Sequence, residues 1–237
     1  MRTKYVLIAA GFVAASCLAL AVAATANVPL RPAVDTPLDN AKEATIDGMI
    51  GLSAEEVFER LKGMDFFLSE EFSARAVHRV FGNRKTEILA RAMDVLKSPM
   101  MLVLQGRLVS RAADIGVARR IFEVFPDEAA SLLMERYRTG DAITKGNILR
   151  VSGRIEGEIG IRSLLIEALD DKTTCEAENP ESGGEPLRLC DLAYNQLVQR
   201  YQIQKVLRAI GPVYRIEVRD YHIDIMKDLL RRGDLRR

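Results

Sequence analysis

From Ser53 onward, apolar residues recur three and four residues apart, in stretches of a few turns separated by short breaks. This spacing puts them on one face of an α-helix. Ile161, Leu164, Leu165, Ala168 and Leu169 show it most clearly, and Ile148, Val151, Ser152 and Ile155 repeat it just upstream. Alternating β-branched runs are few, and Asp47-Gly48, a possible hairpin turn, has none beside it. The chain is therefore expected to be all-α, a series of short helices in which each covers the apolar face of its neighbour. Aromatics are only 6% of residues and Trp is absent. The apolar content is mainly Leu, Ile, Val and Ala, which suits helix packing better than an aromatic-rich β-sandwich.

Local signals place most of the helices. Ser53 with Glu56 forms a capping box, followed by Val57, Phe58 and Leu61 as an apolar side. Thr86 to Lys97 carries Ile88, Leu89, Ala92, Val95 and Leu96. Leu104, Leu108 and Ala112 predict another helix, and Ile121, Phe122 and Phe125 a short one that stops at Pro126. Asp127 to Arg138 presents Ala129, Leu132, Leu133, Arg136 and Tyr137, with Gly140 as its stop and Asp141 as the next N-cap. Pro186 is expected at the first position of a helix carrying Leu189, Leu192, Ala193, Gln196 and Leu197. Asp220 to Arg231 forms the last, with Tyr221, Ile225 and Leu229 as its stripe.

The N-terminus reads differently. Arg2 and Lys4 precede an uncharged, Ala- and Leu-rich run that ends at Ala24-Thr25-Ala26. Positive, apolar and small-residue regions in that order are what an export signal requires. Residues 1–26 are expected to be a signal peptide. Two alternatives stay open: retention of the run as a membrane anchor, and lipidation at Cys17. Each places the body outside the cytoplasm, periplasmic or secreted, with membrane contact expected only through this segment and only if it is not cleaved. Pro29, Pro32 and Pro37 then mark residues 27–52 as an extended linker, and residues 53–237 as the helical domain.

Residues Lys145 to Asp171 carry a resemblance. Ile148 to Ile155, with Gly153 at the turn, resembles the first helix of a HEAT repeat, and Ile161 to Asp171 resembles the second helix with its acidic close. Pro186 to Ala193 is similar to the start of a following repeat. The similarity spans residues 127–201 and implies an α-α superhelix, a fold whose relatives chiefly bind other proteins or peptides. It also implies an alternative, a small-ligand or cofactor carrier, or a lyase-like enzyme built on such repeats.

Lys172 to Glu185 interrupts the pattern with a long insert containing Asn179-Pro180 and Gly183-Gly184. Cys175 lies in it and Cys190 follows. In an oxidising compartment these are expected to form a disulfide, with two separate thiols or a redox or metal role as alternatives. The residues around the insert, Lys172, Glu185, Arg188 and Asp191, form one candidate binding site. Arg150, Arg154 and Arg162 form the other.

Catalytic and cofactor motifs are lacking. His78 and His222 have no partner at metal-ligand spacing, and there is no Gly-x-Ser-x-Gly elbow. Gly82 to Thr86 resembles a phosphate loop, but Arg79 and Arg84 occupy its glycine positions. No metal, cofactor or catalysis is expected. A net charge of +1 gives no support for nucleic acid as a partner. The expected function is therefore an extracytoplasmic scaffold that binds another protein or peptide.

Overall fold

A computed structural model describes residues 44–64, 74–104, 107–155, 158–175 and 185–235, all within the unit Lys42–Arg237. The expected signal peptide and most of the proline-containing linker lie outside these residues, as does the middle of the Lys172–Glu185 insert. Among the described residues, helix predominates. In chain order the helices are α1 (Ala54–Lys62), α2 (Ala74–Phe81), α3 (Lys85–Leu96), α4 (Ala112–Val124), α5 (Pro126–Thr139), α6 (Ala142–Ser152), α7 (Glu158–Ala168), α8 (Leu189–Arg200) and α9 (Ile216–Arg232). A 3-10 turn, Gly82–Arg84, joins α2 to α3.

The capping signals form as physical chemistry requires. Ser53 Oγ accepts from the Glu56 amide, and the Ser53 amide donates to Glu56 at 2.9 Å. Asp141 accepts from the Thr144 amide at 2.8 Å and starts α6. These bonds satisfy donors that a helix start leaves without an internal acceptor.

The strand content corrects one expectation. Leu104 and Leu108 do not lie in a helix. Met101–Leu104 (β1) and Arg107–Ser110 (β2) pair as an antiparallel hairpin, with Leu104 opposite Arg107. Gly106, preceded by an apolar run, was the available turn signal in the sequence. A second departure concerns Pro126, which opens α5 instead of only closing the helix before it. A third lies at the start of the body. Residues 44–47 form a helical turn, and Ile46 and Met49 are buried in the core, so the packed body begins before Ser53.

The core is continuous from Ile46 to Met226. α4 packs on α6, and α6 on α8, while α5 packs on both α6 and α7, and α7 on α8. α3 lies against α4 and touches α6. Two polar groups hold the last turn of α3. The buried Asn147 amide donates to Leu96 and Ser98 carbonyls at 3.0 and 2.8 Å, and Arg111 Nη1 donates to Val95 at 3.1 Å. Helix-end carbonyls have no partner within their own helix, so these side chains fix where α3 stops.

The α5–α6 turn has no room for a side chain. A β-carbon at Gly140 would lie 2.8 Å from the Arg136 carbonyl oxygen and 3.0 Å from Thr144 Cγ2. Gly140→Ala is therefore expected to destabilise the fold by about 1–3 kcal/mol, the usual cost of overpacking. Urea denaturation measures this directly, and an unchanged midpoint would show that the turn relaxes freely.

Candidate functional site

The residues flanking the insert come together around one carboxylate. The chain at Thr173–Cys175 runs antiparallel to Leu187–Leu189, with Thr174 opposite Arg188. Cys175 donates its amide to the Leu187 carbonyl at 3.0 Å, and Leu189 donates to Thr173 at 2.9 Å. This short pairing delivers Arg188 to the start of α8. There its guanidinium meets Asp191 at 2.9 Å and Asp220 of α9 at 2.8 Å.

Asp191 is fully buried and also accepts from Arg219 Nη1 at 2.9 Å. Arg219 is itself fully buried. Its other donors reach the carbonyls of Tyr214, Pro186 and Glu185 at 2.8, 3.0 and 2.8 Å. Glu185 and Lys172 complete the ring, Glu185 Oε2 lying 3.8 Å from Arg219 and Lys172 pairing with Asp220 at 3.0 Å. Burial alone pushes the Asp220 carboxyl up, but hydrogen bonds from Arg188 and Lys172 outweigh it and hold it below the usual carboxylate range.

So Lys172, Glu185, Arg188 and Asp191 are brought together, and Arg219 and Asp220 join them. Sequence reading missed the last two. The stripe expected on the final helix was Tyr221, Ile225 and Leu229. In the structure Arg219, Ile223 and Met226 are its buried residues, while Tyr221 is exposed. An arginine in register with Ile223 and Met226 was the available signal, because a buried guanidinium needs a carboxylate. The network is closed on itself: its charges are taken up by protein groups, so it fastens the chain and offers little to a ligand.

The expected disulfide is corrected. Cys175 and Cys190 are not joined, and each is a buried thiol. The strand pairing explains it. Cys175 stands level with Leu187, whereas the Cys190 amide donates to Asp171. Asp171 lies four residues before Cys175, and α8 has begun by Cys190, so the two thiols do not face each other across the pairing. Cys175 Sγ instead donates to the Leu187 carbonyl at 3.3 Å, and its β-carbon packs against Gly146. Burial, then the neighbouring Asp191 charge, pushes the Cys190 thiol up to about 11, which makes it a poor nucleophile.

The second candidate row is divided between structural tasks. Arg150 donates to Asn147 Oδ1 at 3.1 Å and orients the side chain that caps α3. Arg162 donates to the Tyr201 hydroxyl at 2.8 Å, and Arg154 is exposed. Among the described residues, no group of three or more His, Cys, Asp or Glu side chains is placed to hold a metal ion. No described helix is long and apolar enough to cross a membrane.

An open surface site lies elsewhere, between α3 and α5. Lys85 and Glu128 form an ion pair at the first turns of the two helices, which flank a groove of about 790 Å³. Leu89, Ala90 and Met93 come from α3, and Ser131 and Leu132 from α5. Leu132 was expected in the core with Leu133. Leu133 is buried, but Leu132 is 37% exposed and lines the groove.

Replacing Asp191 with Ala leaves Arg188 and Arg219 buried without their shared carboxylate. The expected loss is about 3–5 kcal/mol of folding stability, read from urea denaturation. A loss under about 1 kcal/mol would show that water replaces the carboxylate, and that the network is not a fastener.

No family model, curated protein or solved structure matches this chain.

Proposed function

We propose that the protein is an extracytoplasmic helical module that binds a segment of another protein in the groove between α3 and α5. The observation that carries this reading is the groove itself. It joins an apolar floor, Leu89 and Met93, to an exposed apolar residue, Leu132, and to rims of both charges. A patch with an apolar centre and a polar rim is the usual anatomy of a protein-binding surface. The buried network around Asp191 is, by contrast, occupied by its own partners. A small-ligand carrier or lyase-like enzyme has less support, because such sites converge a few polar groups on an enclosed apolar pocket. Here the polar groups stand along the rims.

The fold class within this reading is a HEAT-like stack, with α5–α6 and α7–α8 as its clearest pairs. Packing within each pair, and of α5 on α7 and α6 on α8, supports it. The export signal expected in residues 1–26 places the body outside the cytoplasm. Cell fractionation with mass analysis of the mature N-terminus tests that location. A body found in the cytoplasmic fraction with residues 1–26 intact would sink it.

Peptide display on the full chain tests the binding function. Enriched peptides are expected to carry apolar residues at helical spacing. They should bind Leu132→Asn at least about tenfold more weakly, a change of about 1.4 kcal/mol. Val213→Asn, at an exposed apolar position that does not line the groove, should bind them normally. Failure to enrich any binder, or binders indifferent to Leu132→Asn, would refute the groove as the site.

A further inference from the structure

The ion pairs of the groove leave its charge pattern incomplete. Lys85 pairs with Glu128, and Lys97 with Asp94. Arg136, the remaining cation of the lining, is half-buried and forms no ion pair among the described residues, so it offsets at most one of the carboxylates left on the groove. Asp127 and Glu135 remain. Both are exposed, both line the groove from α5, and neither has an ion-pair partner among the described residues. An α-helix rises 1.5 Å per residue, so these two carboxylates stand about 12 Å apart along one wall. Ser131 lies between them, and Leu132 beside it.

The geometry points to the class of occupant: a cationic amphipathic helix of a partner protein, with Lys or Arg at positions i and i+7 beside an apolar stripe. This rests on the groove being the binding site. Residues seven apart share a helix face and are separated by about 10 Å, a spacing that long flexible cations extend to meet Asp127 and Glu135. The apolar stripe between them covers Leu89, Met93 and Leu132. The division of labour follows from ordinary energetics. Apolar burial supplies most of the affinity, while exposed charge pairs contribute modestly and set orientation and choice of partner.

The experiment uses the full chain and two synthetic helices of about five turns. They share a Leu stripe and differ only in carrying Lys or Glu at i and i+7. Fluorescence anisotropy is expected to show the Lys helix binding about tenfold more tightly at low salt, with the gap narrowing at about 0.15 M as screening grows. In the double variant Asp127→Lys with Glu135→Lys, the preference should reverse. Both positions are exposed, and an unchanged melting temperature confirms that the variant folds. Equal binding of the two helices, or a preference that survives the double variant, overturns the inference. If neither helix binds while display-selected peptides still require Leu132, the groove reading stands and the cationic helix is rejected. If the Lys helix binds Leu132→Asn as well as the native chain, the groove reading itself fails. A dimer in sedimentation that Leu132→Asn dissolves would make a second copy the occupant and would likewise overturn the proposal.

Discussion

The buried carboxylate of Asp191 holds the C-terminal third of this molecule together. It receives Arg188 from its own helix start and Arg219 from the last helix. Arg219 in turn gathers the carbonyls of Glu185, Pro186 and Tyr214. Moving such charges out of water is costly, and their mutual attraction repays it only when almost every donor finds an acceptor. Here the guanidinium of Arg219 does so. The return of the chain after the insert, the start of α8 and the placement of α9 thus become one decision. Lys172 and Lys227 extend the same fastening outward, reaching Asp220 and Asp170.

A parallel logic places the groove. Asn147 and Arg111 bind the last carbonyls of α3, the tight turn at Gly140 sets α5 against α6, and Lys85 ties the starts of α3 and α5 to each other. Both walls are therefore held by groups that point away from the groove or close its end. Of the side chains that line it, Leu132, Asp127 and Glu135 are exposed and form no ion pair among the described residues. That separation between holding and presenting residues is what a recognition surface requires, since its contacts can vary without loss of fold.

Much of the helical framework was legible in the residues. Thr86 to Lys97 became α3 with Ile88, Leu89, Ala92, Val95 and Leu96 buried, because a long apolar face admits one period. The caps at Ser53 and Asp141 were legible because they are local bonds between residues three apart. The hairpin at residues 101–110 was not. Its apolar run is too short to separate strand from helix by period, and pairing across the turn decided the matter. The cysteine pair misled for a related reason: nearness in sequence says nothing about register, and the pairing of Thr174 with Arg188 keeps the thiols apart. Of the candidate site residues, the group around Arg188 and Asp191 was legible through its position beside the insert, while its partners Arg219 and Asp220 lie on a helix whose buried face is shifted from the expected stripe.

The sequence by itself determined most of the helices, the caps at Ser53 and Asp141 and several buried faces, because those depend on interactions within a few residues. Tertiary structure alone decided which charges were buried together, which leucine of a Leu132-Leu133 pair faced outward, and where two helices stood apart. Each of those outcomes depends on what lies opposite a side chain in space, and the opposing residues are tens of positions away along the chain: Asp191 and Arg219 are 28 apart, and Lys85 and Glu128 are 43 apart.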